Sequence, residues 1–411
     1  MDQTNPRTRI KIRISMEKLK IYARTVEDEA VQQINAMNES EAYKDCLVRI
    51  MPDCHAGAGC TIGTVVAIKD RIVPNTVGVD IGCGMYVVRW TDKDIDLKKL
   101  DEVIRSFVPS GFNIHENPVM DFDYSGFRCQ EIIDEKMANC SIGSLGGGNH
   151  FIEVDVDSQG FKYLIIHSGS RNLGLRVCKY YQDKAIKYCK SKALDEKALV
   201  EKLKAEGREK EIAEEIAKAK AEYKPIDPQL AYLEGQDMED YLHDMALCQK
   251  YAKRNRICIA MTIAKQMEDD ELMTNLVRPG GAFHTIHNYI DVEHRILRKG
   301  AVRALYNELL IIPMNMRDGS LVCIGKGNID WLYSAPHGAG RIMSRKKAKE
   351  VIALADYEQS MDGIFTSSVC AETLDEAPMV YKPIQEIIDC VGDTVDVKDV
   401  IKPIYNFKAK E

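Results

Sequence analysis

The sequence predicts an α+β fold, read as one interwoven domain over residues 1–411. Three observations predict it. Apolar runs broken by glycine fill residues 47–90, the texture of strands that end in tight loops. Stretches with apolar residues at helical spacing lie on both sides of that region. No repeat, low-complexity tract or linker divides the 411 residues, a length that suffices for two or three average domains.

The elements follow in order. Residues 16–36 carry apolar positions at mixed helical spacing and predict a helix. LVRIMPDCHAGAGCTIGTVVAI and TVGVDIGCGMYVVRW predict strands with glycine loops between them. Residues 101–108 predict a helix, and SLGGGNHFIEVDV at 144–156 a Gly-rich loop feeding an alternating strand. KYLIIHSGSR at 162–171 predicts a buried strand that ends in a loop. Residues 194–224 are rich in Lys, Glu and Ala and predict a charged helical insertion, a hairpin broken near Gly207. It reads either as a solvated helical face or as an RNA-contacting arm. Residues 237–268 predict one or two long helices, and ELLIIPMNMRDGSLVCIGKG at 308–327 a strand, a turn and a strand. Ser344 before RKKAKEVIALAD predicts a capped helix.

Composition narrows the class. Hydrophobic residues at 45% and charged residues at 29% describe an ordinary globular chain. A net charge of −7 argues against a general basic coat for nucleic acid, though a local basic groove remains compatible with it. Thirteen cysteines are an odd number in a long chain, and none stand in C-x-x-C spacing, so neither a disulfide scaffold nor a zinc ribbon is expected. The N-terminus has no apolar signal region, and no stretch approaches the ~18 apolar residues of a membrane span. Reduced cysteines in a cytoplasm, with no membrane partner, are the expectation.

Nine histidines can each be weighed. His55, His150, His167, His287 and His337 lie in or beside Gly-rich or strand-end loops, where functional side chains project. His115, His243, His284 and His294 lack that context and read as structural or solvated. VGVDIGCGM places Asp80 and Cys83 three apart among glycines. They read as converging metal ligands or as a turn cap beside a small buried thiol. GGGNHFIE offers Asn149, His150 and Glu153 after three glycines whose N–H groups suit an anion. On a strand, Phe151 and Glu153 share one face, His150 and Ile152 the other. His284 and His287 would face alike on a helix. YSAPHGAGRIMSR holds His337 between Pro336 and Gly338, with Gly340 and Arg341 beyond. It reads as a phosphate held against an imidazole, or as a Gly-rich turn with a solvated histidine.

MPDCHAGAGCTIG, VGVDIGCGM, GGGNHFIE, HSGSR, IHN, HGAGRIMSR and DEAPMVYK, in that order, resemble the RtcB family of RNA-splicing ligases. The resemblance runs from about residue 45 to the C-terminus. It implies an α+β domain with mixed sheets packed inside helices around a deep metal-lined cleft. It implies an RNA ligase that joins 3′-phosphate or 2′,3′-cyclic phosphate ends to 5′-hydroxyl ends, in tRNA splicing or RNA repair. GTP is the implied co-substrate and two Mn²⁺ ions the implied metals, with an archease-like activator among the implied partners.

The residue roles come from the same resemblance. His337 matches the histidine that becomes guanylylated. Asp80, Cys83, His150, His167 and His287 match the metal ligands. The GTP and GMP contacts map to Asn149, His150, Phe151, Ile152, Glu153, His287, Asn288, Pro313, Met314, Asn315, Met316, Ser320, His337, Gly338, Ala339, Gly340 and Lys408, with Lys410 close by. Gly338 and Gly340 would admit the phosphates and Arg341 would neutralise charge. Arg171, Arg341, Arg345, Lys346 and Lys347 are the candidate RNA contacts.

Thiolate and imidazole ligands would by themselves suggest zinc, whereas the family implies manganese. Zinc would then be a tight-binding, inactive occupant. Cys54 replaces an expected small apolar residue, and Asn315 stands where many members carry serine. The segment MEKLKIYARTVEDEAVQQI differs from that of housekeeping tRNA-splicing members, which points toward repair of damaged RNA. Two other classes fit the same residues. One is a metal-dependent phosphodiesterase or cyclic-phosphate hydrolase, which would turn over without GTP. The other is a non-catalytic RNA-binding relative, which the filled nucleophile and ligand positions disfavour.

Overall fold

The structure is a computed structural model and describes residues 17–192, 196–222 and 225–409. Its core is a larger sheet whose strands alternate apolar and functional residues. In Phe151–Val156, Ile152 and Val154 enter the apolar core while Phe151 turns to the other face. Across the sheet the strands run Leu309–Asn315, Gly319–Gly325, Val395–Lys408, Phe151–Val156, Lys162–Ser168, Gly84–Arg89 and Ala282–Ile286. All these neighbours are antiparallel, and Phe365–Thr366 adds a short parallel pairing to Val395–Lys408.

A smaller sheet runs Leu19–Ile21, Leu47–His55, Ile62–Ala67, Ile296–Lys299 and Asn288–Asp291. The two sheets meet in the chain at one residue. His287 lies between Ala282–Ile286 of the larger sheet and Asn288–Asp291 of the smaller.

The stretch 237–268 forms one helix, Gly235–Met267, of 33 residues. Its Ile259, Ala260, Ile263 and Ala264 pack on Tyr86, Ile152, Val154 and Ile166 of the larger sheet. A buried aliphatic side chain contributes about 1.5–3 kcal/mol. That stripe keeps the helix docked even though Asn255 and Arg256 are buried within it.

Several expectations change. Residues 17–36 are not one helix: Leu19–Ile21 is a strand and the helix is Asp28–Glu39. Leu19 and Ile21 alternate and pair in parallel with Val48 and Ile50, so tertiary pairing overrides the local pattern. Ala30, Ile34 and Met37 supply the buried stripe of the true helix. Position 16 lies outside the described residues. The charged stretch forms the helices Glu196–Ala205 and Ile212–Glu222, with Gly207 at φ 71° between them. Positions 194, 195, 223 and 224 lie outside the described residues. Ser344 caps the helix Arg345–Val351 by accepting from the Lys347 N–H at 3.2 Å. That helix ends early, and a second, Leu354–Ser360, follows. The thirteen cysteines are all free. Among the described residues no helix is long and apolar enough to cross a membrane.

Candidate active site

One row across the larger sheet aligns Phe151, His167, Met85 and Thr285. Cross-strand partners project to the same face, and the period of two extends that face along each strand. Cys83, two before Met85, and His287, two after Thr285, therefore join His167. His284 has the opposite parity, so it does not face alike with His287. It stacks on Tyr86 at 4.2 Å between ring centroids, behind the sheet.

The convergence is close. Cys83 Sγ lies 3.4 Å from His150 Nε2 and 3.2 Å from His167 Nε2. His167 Nε2 lies 3.3 Å from His287 Nε2, and His150 Nε2 2.9 Å from Asp80 Oδ2. The far side of two rings fixes their orientation. His150 Nδ1 is 2.9 Å from the Leu145 carbonyl and His167 Nδ1 is 3.2 Å from the Asn149 carbonyl. A carbonyl only accepts, so Nδ1 carries the hydrogen on both rings. The Nε2 lone pair of His167 then faces inward, while His150 Nε2 faces the Asp80 carboxylate, which itself only accepts.

Electrostatics agree with that geometry. Burial pushes the Cys83 thiol well above its ordinary value, and neighbouring Asp80 adds to the push. Burial pushes His167 and His287 well below theirs, and the surrounding imidazoles reinforce it. Burial would also raise Asp80, but hydrogen bonding and charge at His150 outweigh it and hold the acid at about 2. The result is neutral imidazoles at His167 and His287, a thiol at Cys83 and a carboxylate at Asp80. Cys83, His150 and His167 offer donor atoms within 4.8 Å of one another. Sulfur, imidazole and carboxylate donors in one buried cluster fit a divalent transition metal.

His337 follows the strand Ser334–Pro336. Its ring meets that of His287 edge-on, with centroids 4.9 Å apart. Its Nδ1 lies 2.7 Å from Asp53 Oδ2, which also accepts from the backbone N–H of His337 at 3.0 Å and of Gly338 at 3.1 Å. Asp53 is fully buried. With Nδ1–H held by the carboxylate, Nε2 is left as the free nitrogen. Gly340 has a structural reason: at φ +78°, a Cβ there would sit 2.4 Å from the Asp53 carbonyl oxygen. Gly338 is different, since a Cβ there would meet only the Pro313 oxygen at 3.3 Å.

A cavity of about 830 Å³ opens over these groups. Asp80, Cys83, His167, His287 and His337 line it, as do Asn149, Phe151, Glu153, Asn288, Pro313, Met314, Asn315, Met316, Gly338, Ala339, Gly340 and Lys408. Three expected nucleotide contacts are not on its wall. His150 lies behind it in the cluster. Ile152 points into the core, because strand parity turns it away from Phe151 and Glu153. Ser320 is buried on Gly319–Gly325, opposite Pro313. Lys410 lies outside the described residues.

Most of the remaining histidines and cations find ordinary partners. His115 faces the Gly143 carbonyl at 3.2 Å, His243 the Gly126 carbonyl at 2.9 Å, and His294 the Asp291 carboxylate at 3.0 Å. His55 lines the cavity, its Nδ1 2.9 Å from the Asp53 carbonyl. Arg171 is held by Ser144 and the Gly111 carbonyl, at 3.1 and 2.9 Å. Arg341 donates to the Asp375 carbonyl at 2.6 Å and faces Glu376 at 3.5 Å, so an acid already shares its charge. Arg345 pairs with Asp375, while Lys346 and Lys347 are exposed.

Residue reading missed several positioning groups. Asp53 lies within MPDCHAGAGCTIG, and no local pattern marks it as the partner of His337. Glu376 binds the Lys408 ammonium, which lies 5.2 Å from the Phe151 ring centroid. Asn406 donates to Glu153. Asn255 accepts from the Gly143 N–H at 2.8 Å and donates to Ser168 Oγ at 2.9 Å. Adjacent polar residues inside an apolar helix stripe were the available signal for Asn255 and Arg256.

Comparison with known proteins gives a consistent pattern. The family model described as tRNA-splicing ligase RtcB matches residues 33–136 and 130–409. The chain is 31% identical over 417 residues to the RNA-splicing ligase RtcB of Escherichia coli K12, covering 93% of this chain and 95% of that one. It is 25% identical over 439 residues to the tRNA-splicing ligase RtcB of Pyrobaculum aerophilum, covering 86% and 85%. Against the tRNA-splicing ligase RtcB of Nanoarchaeum equitans it is 26% identical over 427 residues, covering 82% and 83%.

Proposed function

Since the chain belongs to the RtcB family, we propose that it is an RNA ligase acting through a guanylylated His337. In this reading it joins RNA 3′-phosphate or 2′,3′-cyclic phosphate ends to 5′-hydroxyl ends, with GTP as co-substrate. The observation that carries it is the pairing of His337 Nδ1 with buried Asp53 at 2.7 Å, beside the Cys and His cluster.

The chain's own residues supply most of the chemistry. His337 Nε2 attacks the α-phosphorus of GTP, an N–P bond forms, and pyrophosphate leaves. Asp53 holds the ring in the productive tautomer and stabilises positive charge as it develops on the imidazole. GMP then passes to the RNA 3′-phosphate, and the 5′-hydroxyl displaces it. Asp80, Cys83, His150, His167 and His287 would hold the metal. When bound, divalent ions (Mn²⁺ in this reading) neutralise the triphosphate and polarise the phosphate under attack. Glu153 would accept from the guanine edge and Lys408 would lie alongside the base. Lys346 and Lys347, exposed beside the His337 loop, would meet RNA phosphates. We read residues 194–224 as an insertion in a single domain, and the protein as cytoplasmic.

The test supplies the full chain with RNA fragments bearing 3′-phosphate and 5′-hydroxyl ends, Mn²⁺, and GTP or none. A joined strand formed only with GTP supports the ligase. Hydrolysis of the ends without GTP, undiminished in His337→Ala, contradicts it and favours a phosphodiesterase on the same cluster.

A further inference from the structure

A second cavity, of about 550 Å³, opens behind the larger sheet. It lies between the helix Gly235–Met267 and the chain from His284 to Glu293. Arg256 lines it and is fully buried. Its Nη1 donates to the carbonyls of Gly82 and Ser168, at 2.8 and 2.7 Å. Its Nε and Nη2 have no partner among the described residues. Those two nitrogens form the side-on edge of the guanidinium. Their N–H bonds run parallel and match the paired oxygens of a phosphate or a carboxylate. A buried cationic edge without a protein acceptor is costly, so this edge favours an oxyanion that reaches it.

A second group repeats the pattern. His284 lines the same cavity, and its buried Nδ1 has no partner among the described residues. The stack on Tyr86 fixes its ring. Burial pushes this imidazole down to about 2, with the charges of Arg256 and Lys253 adding to the effect. It is therefore neutral and can donate one hydrogen bond.

The charge balance favours an anion. Lys250 and Lys253 line the cavity, are exposed, and form no ion pair among the described residues. Much of the acidic wall is already matched: Glu308 binds Arg303 at 2.7 Å, and Asp291 faces His294 at 3.0 Å and Arg298 at 3.7 Å. The volume falls in the range of small-molecule sites, roughly 300–1,000 Å³, and exceeds what a lone oxyanion needs.

We propose that this cavity is a second ligand site for a small molecule whose phosphate or carboxylate group closes the Arg256 fork. Occupancy is transmitted to the metal cluster. The same guanidinium holds the carbonyl of Gly82, next to Cys83, and that of Ser168, next to His167. An oxyanion on one edge of Arg256 polarises and repositions the other. This site stands independently of the ligase reading.

The test is hydrogen–deuterium exchange on the full chain with inorganic phosphate, with acetate, and with neither. Peptides covering residues 246–256 and 303–310 report this cavity, and those covering 333–345 report the other. Slower exchange at the first pair is expected, retained in His337→Ala. It should weaken roughly tenfold in apparent affinity in Lys253→Glu, which removes an exposed cation. It should vanish in Ala246→Phe, which fills the cavity. Protection by acetate as well as phosphate assigns a carboxylate-bearing ligand, and by phosphate alone a phosphate-bearing one. No protection by either anion would overturn the proposal, as would protection confined to 333–345 or unchanged in both cavity variants. An experimental map showing only an ordered water on the Arg256 edge in crystals grown with phosphate would overturn it equally.

Discussion

Asp53 and His337 stand 284 positions apart in the chain, yet the Asp53 carboxylate lies 2.7 Å from His337 Nδ1. One oxygen accepts from that ring nitrogen and from two successive backbone N–H groups, so it fixes both the ring and the loop. Asn at position 53 can accept but carries no charge to stabilise a developing imidazolium. Asp53→Asn is expected to slow guanylylation by roughly 10²-fold or more, with the fold kept. Single-turnover labelling, with circular dichroism as the control, checks this.

Cys83 touches two imidazoles of the cluster. Losing a partner one step removed from a metal typically costs about 10–100-fold in affinity, so losing a direct donor costs at least that. Cys83→Ala should therefore bind Mn²⁺ at least about 10-fold more weakly, as equilibrium dialysis will read. In the wild type, the soft donors should let zinc displace manganese and suppress ligation.

Metal affinity should also depend on pH with a definite sign. The Cys83 thiol is pushed up by burial and by Asp80, so the metal-free cluster holds that proton. Metal binding expels it. Affinity should thus rise with pH through the neutral range, by up to about tenfold per unit for one proton released. Proton release measured in two buffers of different ionisation enthalpy checks the count. Cys83→Ala should flatten the dependence.

Glu376 supplies a stability test. Burial alone would raise its carboxyl, but Lys408, Arg345 and Arg341 outweigh that and lower it. A lowered folded value means stability that is present above the unfolded value of about 4.3 and lost as pH falls through the folded one. Glu376→Gln should therefore unfold more easily at neutral pH. It should lose less stability than wild type as the solution is acidified below about 4. Denaturant midpoints at several pH values check this.

Asn255 joins the Gly143 N–H to Ser168 Oγ inside the long helix's apolar stripe. Asn255→Ala leaves buried polar groups unmatched, at about 1–3 kcal/mol each. Thermal unfolding of the metal-free chain should register that loss, separating it from weaker metal binding.

The sequence made some of this legible. Alternation identified the strands around Glu153 and His167, and the motif order identified the family. Ser344 before a charged run marked a helix start correctly. Other features depended on contacts that no local pattern encodes. Leu19–Ile21 becomes a strand only by pairing with Leu47–His55. The spacing of His284 and His287 suggested one helical face, but a strand's period of two puts them on opposite sides of the sheet. Ile152 shares the motif of Glu153, yet its parity sends it into the core. Asp53, Glu376 and Arg256 act on residues far away in the chain, so their roles appear only once strands and helix are packed.

The central claim is the covalent histidine. The most direct measurement incubates the full chain with GTP labelled at the α-phosphate and Mn²⁺, denatures it, and asks whether label stays on the protein. We predict label on the wild type and none on His337→Ala. Absence of label from folded, manganese-loaded wild type, or label persisting in His337→Ala, would contradict the account.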